Sequence, residues 1–366
     1  MRKLTGIILS SLLVFSLLLS GCSGETNVNE LIQQGDSAYA VGNFASAAEA
    51  YTKIIDMDKA TDEIYNNRGM SYMMMEKYNE AIADFNQAIS LNGESAVYYN
   101  NRGLALYKNE DYQAAGEDFA RAISIDDTNA NYFINRADCY AALKDYENAV
   151  LDYTAALEID SSLSHAYNNR ATALFNLERY EEAIPDYTKA IEMEPSNEVL
   201  YWNRGEAYRM TEQYAEAIED YDKYQELSAY LTVDFFVKRA EMKACLERYE
   251  EALDDYVQAI NIAPSDAILY QGRANISFRL ENWNDAITDY SRYLNSNESF
   301  IAYGNRGYCY YMLESYDKAL ADLDKCIELN AEYAWAYFVR GQIKTALEDF
   351  EGARDDFDKA ADLTGE

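Results

Sequence analysis

The sequence predicts an all-α fold, an α-solenoid of about ten helix–turn–helix repeats, and three observations predict it. An arginine followed by glycine or alanine recurs at Arg68, Arg102, Arg136, Arg170, Arg204, Arg239, Arg273, Arg306 and Arg340, spaced 34 residues apart except for 35 before Arg239 and 33 before Arg306. A fixed period of this length marks stacked supersecondary units, each too small to bury its apolar face alone. Between the arginines, apolar and small residues fall three and four apart, which is one helix face. Hydrophobic residues make up 49% of the chain, enough for a continuous core. Solenoids offer long surfaces and rarely a catalytic pocket, so the repeat argues for a binding protein.

The first element along the chain is not a repeat. Arg2 and Lys3 make a short basic start, Leu4 through Leu18 is uncharged and mostly apolar, and Leu19-Ser20-Gly21-Cys22 closes the run with small residues before a cysteine. The pattern resembles a bacterial lipoprotein signal peptide with its lipobox. The resemblance implies cleavage after Gly21, lipid attachment at Cys22 with acyl chains such as palmitate, and an extracytoplasmic protein anchored in a bacterial cell membrane or outer membrane. An uncleaved anchor is the alternative, since about 18 apolar or small residues nearly span a bilayer. On the first reading, 1–21 is the signal peptide, 22–27 the lipidated cysteine and a short linker, and 28–366 the array. Ser23 after the cysteine, rather than Asp, fits outer-membrane sorting in a host with two membranes.

The formal charge is −33, and residues 1–21 hold Arg2 and Lys3 and no acid, so their removal would leave −35. So acidic a chain repels nucleic acid and anionic lipid headgroups, and its partners are expected to be neutral or basic proteins. Besides Cys22 the cysteines are Cys139, Cys245, Cys309 and Cys326, with no Cys-x-x-Cys, and His165 is the one histidine, so no metal site is expected. Disulfides are open to an exported protein. Cys139 and Cys309 fall at one repeat position where other repeats carry Ser37, Ala105, Ala173 or Ala207, which favours free buried thiols.

Within residues 164–197, Tyr167, Ala171, Leu174 and Phe175 share one helix face, Leu177-Glu178-Arg179 breaks the pattern, and Tyr180, Ala183, Ile184, Tyr187, Ala190 and Ile191 form a second stripe that Pro195 ends. The repeat is therefore two antiparallel helices joined by a tight turn. These residues resemble the tetratricopeptide repeat family, in ten repeats: 28–61, 62–95, 96–129, 130–163, 164–197, 198–232, 233–266, 267–299, 300–333 and 334–366. Position 8 of each is Gly or Ala, from Gly35 and Gly69 to Gly341, and position 20 is always alanine, from Ala47 to Ala353. The resemblance implies a right-handed superhelix. Tyr224 and Tyr293 at position 27, usually alanine, suggest a looser or bent stack in repeats six and eight. Positions 4, 11, 17 and 24 hold most of the 34 tyrosines and are expected to be core.

Position 7, normally leucine in this family, is the recurring arginine, and position 23, normally aromatic, is aspartate in repeats two to ten. A repeated structural ion pair follows, as in Arg68 with Asp84, Arg102 with Asp118, Arg136 with Asp152 and Arg170 with Asp186, within a repeat or between neighbours. The first repeat lacks both residues, having Gln34 and Ala50, which favours pairing within a repeat.

The resemblance places the first helix of each repeat along a concave groove, through positions 2, 5, 6, 9, 12 and 13. Position 6 is asparagine at Asn67, Asn101, Asn135, Asn169, Asn203 and Asn305. Such carboxamides hold a peptide backbone in this family, or satisfy the helix stack. Met70, Met73, Tyr107, Phe175, Trp202, Tyr308, Tyr311 and Phe338 suit an adaptable surface for a peptide or helix, or pack across neighbouring first helices. Position 5 holds no lysine, which argues against recognition of acidic C-terminal tails. No phosphate-binding glycine loop, His-Glu-x-x-His or Gly-x-Ser-x-Gly occurs, so no enzyme and no cofactor is expected. The sequence thus points to a membrane-anchored scaffold or adaptor of the cell envelope. The alternatives are an assembly factor for pili, secretion or outer-membrane proteins, or a non-catalytic regulator of a cell-wall enzyme. With no polar capping helix after the tenth repeat, self-association through the last repeat is a further expectation.

Overall fold

The computed structural model describes residues 27–365, and the signal-peptide, Cys22 and linker readings up to residue 26 lie outside them. Among the described residues there are twenty α-helices in consecutive helix–turn–helix pairs and no strand. They gather into two compact bodies that divide between Lys144 and Asp145. The first body holds α1 (Val28–Ala40), α2 (Phe44–Asp56), α3 (Asp62–Met74), α4 (Tyr78–Leu91), α5 (Ala96–Lys108), α6 (Tyr112–Ile125) and α7 (Ala130–Ala142). The second begins with α8 (Tyr146–Ile159), α9 (Ser164–Asn176), α10 (Tyr180–Met193), α11 (Glu198–Met210), α12 (Tyr214–Leu227) and α13 (Val233–Cys245). It continues with α14 (Tyr249–Ile262), α15 (Ala267–Arg279), α16 (Trp283–Leu294), α17 (Phe300–Met312), α18 (Tyr316–Leu329), α19 (Ala334–Ala346) and α20 (Phe350–Thr364).

Local chemistry fixes the helix ends. Asn43, Asp111 and Asp145 each accept the backbone N–H three residues on, capping the start of a second helix. The turn before each second helix passes through a left-handed residue, Gly42 in repeat one and a glutamate or lysine afterwards, such as Glu76 at φ 58° and Glu178 at φ 59°. That conformation costs a non-glycine residue roughly 1–2 kcal/mol and reverses the chain in three residues.

Small residues set the spacing of each pair. Ala47, Ala81 and Ala115 in the first body and Ala183, Ala217 and Ala252 in the second are fully buried. A Cβ at Gly69 would lie 2.8 Å from the Phe85 ring, so only glycine lets α3 come this close to α4. Position 24 is buried as expected, with Tyr51, Phe85, Phe119, Tyr187 and Tyr290 nearly or fully enclosed. Positions 4 and 11 meet the expectation only in part, with Leu31, Tyr201, Phe236, Tyr270 and Leu174 buried, and position 17 departs from it throughout. Tyr65, Tyr72 and Tyr78 are half-buried, because their rings cover the arginines and the seams between helices instead of filling the core. The core also takes position 3, through Ile64, Tyr98, Tyr132, Leu200, Phe235 and Leu269.

Tyr224 in repeat six is absorbed by Trp202 and Phe235, ring centroids 5.3 and 5.6 Å away. Cys139, Cys309 and Cys326 are buried free thiols, but Cys245 is exposed, since it ends α13 at the solvent face. The expectation of buried thiols fails there.

Candidate binding surface

The arginines are built into the stack. Arg68 Nε and Nη2 donate to Asp84 Oδ2 and Oδ1, each at 2.7 Å, and Nη1 donates to Thr52 of the preceding repeat at 3.0 Å. Arg102 grips Asp118 at 2.7 and 2.6 Å and reaches Asn86 at 2.6 Å. In the second body Arg170 grips Asp186 and reaches Thr154, and Arg204 grips Asp220 and reaches Thr188. Pairing is thus within the repeat, while the third nitrogen ties the repeat to its predecessor. Arg136 belongs to the first body and Asp152 to the second. The position-4 ring covers the guanidinium, with Arg170 Cζ 5.7 Å from the centre of Tyr167. Hydrogen bonding to its aspartate leads the upward shift of the Arg68 and Arg170 pKa values. These charges are committed to holding the stack and are not free to bind a partner.

The asparagines form chains. Asn135 Nδ2 donates to Asn100 Oδ1 at 2.8 Å, Asn100 to Asn101 at 3.4 Å, Asn101 to Asn66 at 2.8 Å and Asn66 to Asn67 at 3.2 Å. In the second body Asn203 donates to Asn168 at 3.1 Å and Asn168 to Asn169 at 3.2 Å. Asn305, whose neighbour is Gly304, donates to the Tyr290 hydroxyl at 3.1 Å. A carboxamide has two donors and two acceptor lone pairs, so a link in such a chain keeps one N–H and one lone pair for a ligand. The position-5 partners Asn66, Asn100 and Asn168 escaped the sequence reading. Their signal was the doubled asparagine in 66–67, 100–101 and 168–169.

In the first body the chain opens on a cavity of about 460 Å³ between α1, α2, α3 and α5. Asn66, Asn67 and Asn101 line one side, and Tyr39, Met70 and Val97 give it apolar walls. The Tyr51 hydroxyl donates to the exposed Asp36 carboxylate at 2.6 Å, and burial and that carboxylate together push its pKa up. Met73 and Tyr107 are half-buried outside this cavity, and Tyr107 rests edge-to-face on Tyr112 at 5.1 Å.

The second body treats its candidates differently. Phe175 is pinned edge-to-face on Tyr180 at 4.9 Å. Trp202 stacks on Tyr221 at 4.9 Å, and Lys238 Nζ covers the ring at 5.1 Å. Lys238 and Arg209 both donate to Glu206, as does the Tyr221 hydroxyl, so this tryptophan is closed off by its neighbours. Tyr308 contacts Phe278, Trp283, Tyr311 and Trp335, all with centroids within 6.0 Å. Phe338 leans on Phe357 at 5.8 Å and stays 47% exposed. The first-helix surface is therefore an amide-lined cavity in one body and a mostly self-packed aromatic patch in the other. Among the described residues no group of three His, Cys, Asp or Glu is placed to hold a metal, and no helix is long and apolar enough to cross a membrane.

Paired helices at a 34-residue period, small residues at each crossing and a lined first-helix face define a helical-repeat protein of the interaction type. Tetratricopeptide repeat models match residues 32–74, 63–95, 96–129, 130–163, 164–197, 199–230 and 300–333, and the chain belongs to that family. It is 30% identical over 105 residues to RNA polymerase II-associated protein 3 of Xenopus tropicalis, which is 28% of this chain and 16% of that protein. It is 36% identical over 87 residues to human serine/threonine-protein phosphatase 5, covering 24% of this chain and 17% of that one. The chain thus spans about a sixth of the length of these curated relatives. Among solved structures, the C-terminal part of a TPR repeat-containing protein from Cytophaga hutchinsonii aligns with a TM-score of 0.58 at 18% identity, over 66% of this chain and 98% of that one. That likeness shows the fold.

Proposed function

We propose that this protein is a non-enzymatic scaffold, anchored by lipid on Cys22 to the outer side of a bacterial envelope membrane, that captures peptide or helical segments on its first-helix surface. The cavity at Asn66, Asn67, Asn101, Met70 and Val97 carries the reading. It pairs open amide donors and acceptors, which suit a peptide backbone, with apolar walls that suit one side chain. Asp36 at its edge, and 64 acids against 31 lysines and arginines in the chain, favour a neutral or basic segment. The lipid would confine the array to one surface, raising its effective concentration for membrane partners.

A photo-crosslinking residue at Met70, activated in native membranes and followed by mass spectrometry, should trap one or a few defined proteins. The Asn67→Ala, Asn101→Ala double variant should lose them, and unchanged capture would sink the groove. Cys22→Ser should release the protein from the membrane fraction, and persistent sedimentation would sink the lipid tether.

A further inference from the structure

The seam between repeats seven and eight departs from the other seams at two positions that line one cavity. Position 25 of the preceding repeat supplies the acceptor for the third nitrogen of Arg68, Arg102, Arg170, Arg204, Arg239, Arg306 and Arg340. Here it is Val257, so Arg273 grips Asp289 at 2.7 and 2.9 Å and its Nη1 has no partner among the described residues. Position 11, which is Tyr, Leu or Lys in the other repeats that carry the aspartate, is Ser277. Together the two changes leave a cavity of about 290 Å³ between α14, α15 and α16, walled by Leu253 and Val257 and floored by Ser277, Asp285 and Asp289. Ser277 is 2% exposed, yet its hydroxyl makes no hydrogen bond among the described residues, unlike Ser71 and Thr188, which bond back to their own helix.

The neighbouring repeat shows what fits there. In repeat seven position 11 is Lys243, whose ammonium lies 2.8 Å from Asp255 at position 23 and 4.0 Å from Glu251 at position 19. Lys344 does the same in repeat ten, 2.8 Å from Asp356. The equivalents of Asp255 and Glu251 in repeat eight are Asp289 and Asp285, and the lysine is missing. Arg239 shares Asp255 with Lys243, so a second cation beside the arginine is accommodated.

We propose that this cavity receives a lysine side chain from a basic partner protein. The methylene stem lies along Leu253 and Val257, and the ammonium bridges Asp289 and Asp285 with the Ser277 hydroxyl as a further acceptor. The cavity shares no residue with the first-helix surface, so the proposal stands apart from the groove reading.

Methyl-labelled full-length protein titrated with N-acetyl-lysine methylamide at millimolar concentration tests it. The Leu253 and Val257 methyl signals should shift saturably, the shift should weaken with salt, and N-acetyl-norleucine methylamide, with the same stem and no charge, should leave them in place. Ser277→Lys should raise the melting temperature and abolish the response. Asp285→Asn, at an exposed position that leaves the fold intact, should weaken the response several-fold. Equal shifts from both amides, no shift from lysine, or an undiminished response in Asp285→Asn would overturn the proposal.

Discussion

Arg170 and Asp186, sixteen residues apart on facing helices, are joined by two hydrogen bonds of 2.7 Å, and the remaining guanidinium nitrogen reaches Thr154 at 3.1 Å. One side chain therefore fastens a repeat internally and to its predecessor. Leucine at this position would pack one seam, whereas arginine reaches two.

Removing that side chain leaves Asp186 charged and buried, 7% exposed. Arg170→Ala should lower the unfolding free energy by about 3 kcal/mol, the lower end for a broken buried pair because Arg170 retains some exposure. Thr154→Val should cost about 1 kcal/mol, and the two losses should not add, since both act on one guanidinium. Urea denaturation of the single and double variants measures this.

Glycines in this fold are not equivalent. A Cβ at Gly103 would sit 2.7 Å from the Phe119 ring, so Gly103→Ala should cost roughly 1–3 kcal/mol through overpacking. A Cβ at Gly116 meets nothing closer than 3.8 Å, so Gly116→Ala should stabilise α6 by about 0.5–1 kcal/mol. Equal effects on thermal unfolding would contradict the assigned packing.

Acid should act on repeat ten in a defined direction. Burial pushes the Asp356 carboxyl up, but Arg340 and Lys344 outweigh it and hold the pKa below its ordinary value. A carboxyl with a depressed folded pKa stabilises the fold above its unfolded pKa of about 3.9, and that contribution is lost as pH falls through the folded value. Lys344→Met removes one cation and so raises the folded pKa. Its loss of stability in acid, which starts near the same unfolded pKa, should be smaller and should end at a higher pH than that of the parent. Denaturant midpoints between pH 2 and pH 6, about two units either side of that value, would show the offset, and superimposable acid limbs would refute it.

Thiol reactivity should divide along exposure. Burial pushes the Cys139 and Cys309 thiols up to about 12 and Cys326 up to about 11, whereas Cys245 is exposed. The thiolate is the reactive form. A maleimide should therefore label Cys245 in the native protein and reach the other three only after denaturation, as peptide mapping would show.

Much of this was legible in advance. The helix pairs, their small crossing residues and the existence of an Arg–Asp pair follow from spacing, because each depends on a position that recurs every period. Pairing within the repeat rather than between neighbours was only favoured, by the joint absence of both residues from repeat one. The half-buried state of Tyr65 and Tyr72 was not legible, since spacing alone does not say whether an aromatic fills a core or covers a guanidinium. The openness of a candidate was equally hidden. Trp202 looked available until Lys238, in the next repeat, proved to lie across it.

The sequence by itself determined the fold, the number of repeats and the arginine struts, since periodic apolar faces and paired charges act over short, repeated distances. Only the tertiary structure decided which polar and aromatic groups remain free. That depends on whether the adjacent repeat refills the space a small residue vacates. Asn101 spends half its hydrogen-bonding capacity on Asn66 and Asn100, Trp202 is closed by Lys238, and Ser277 is left facing open space where a lysine stands in the neighbouring repeat.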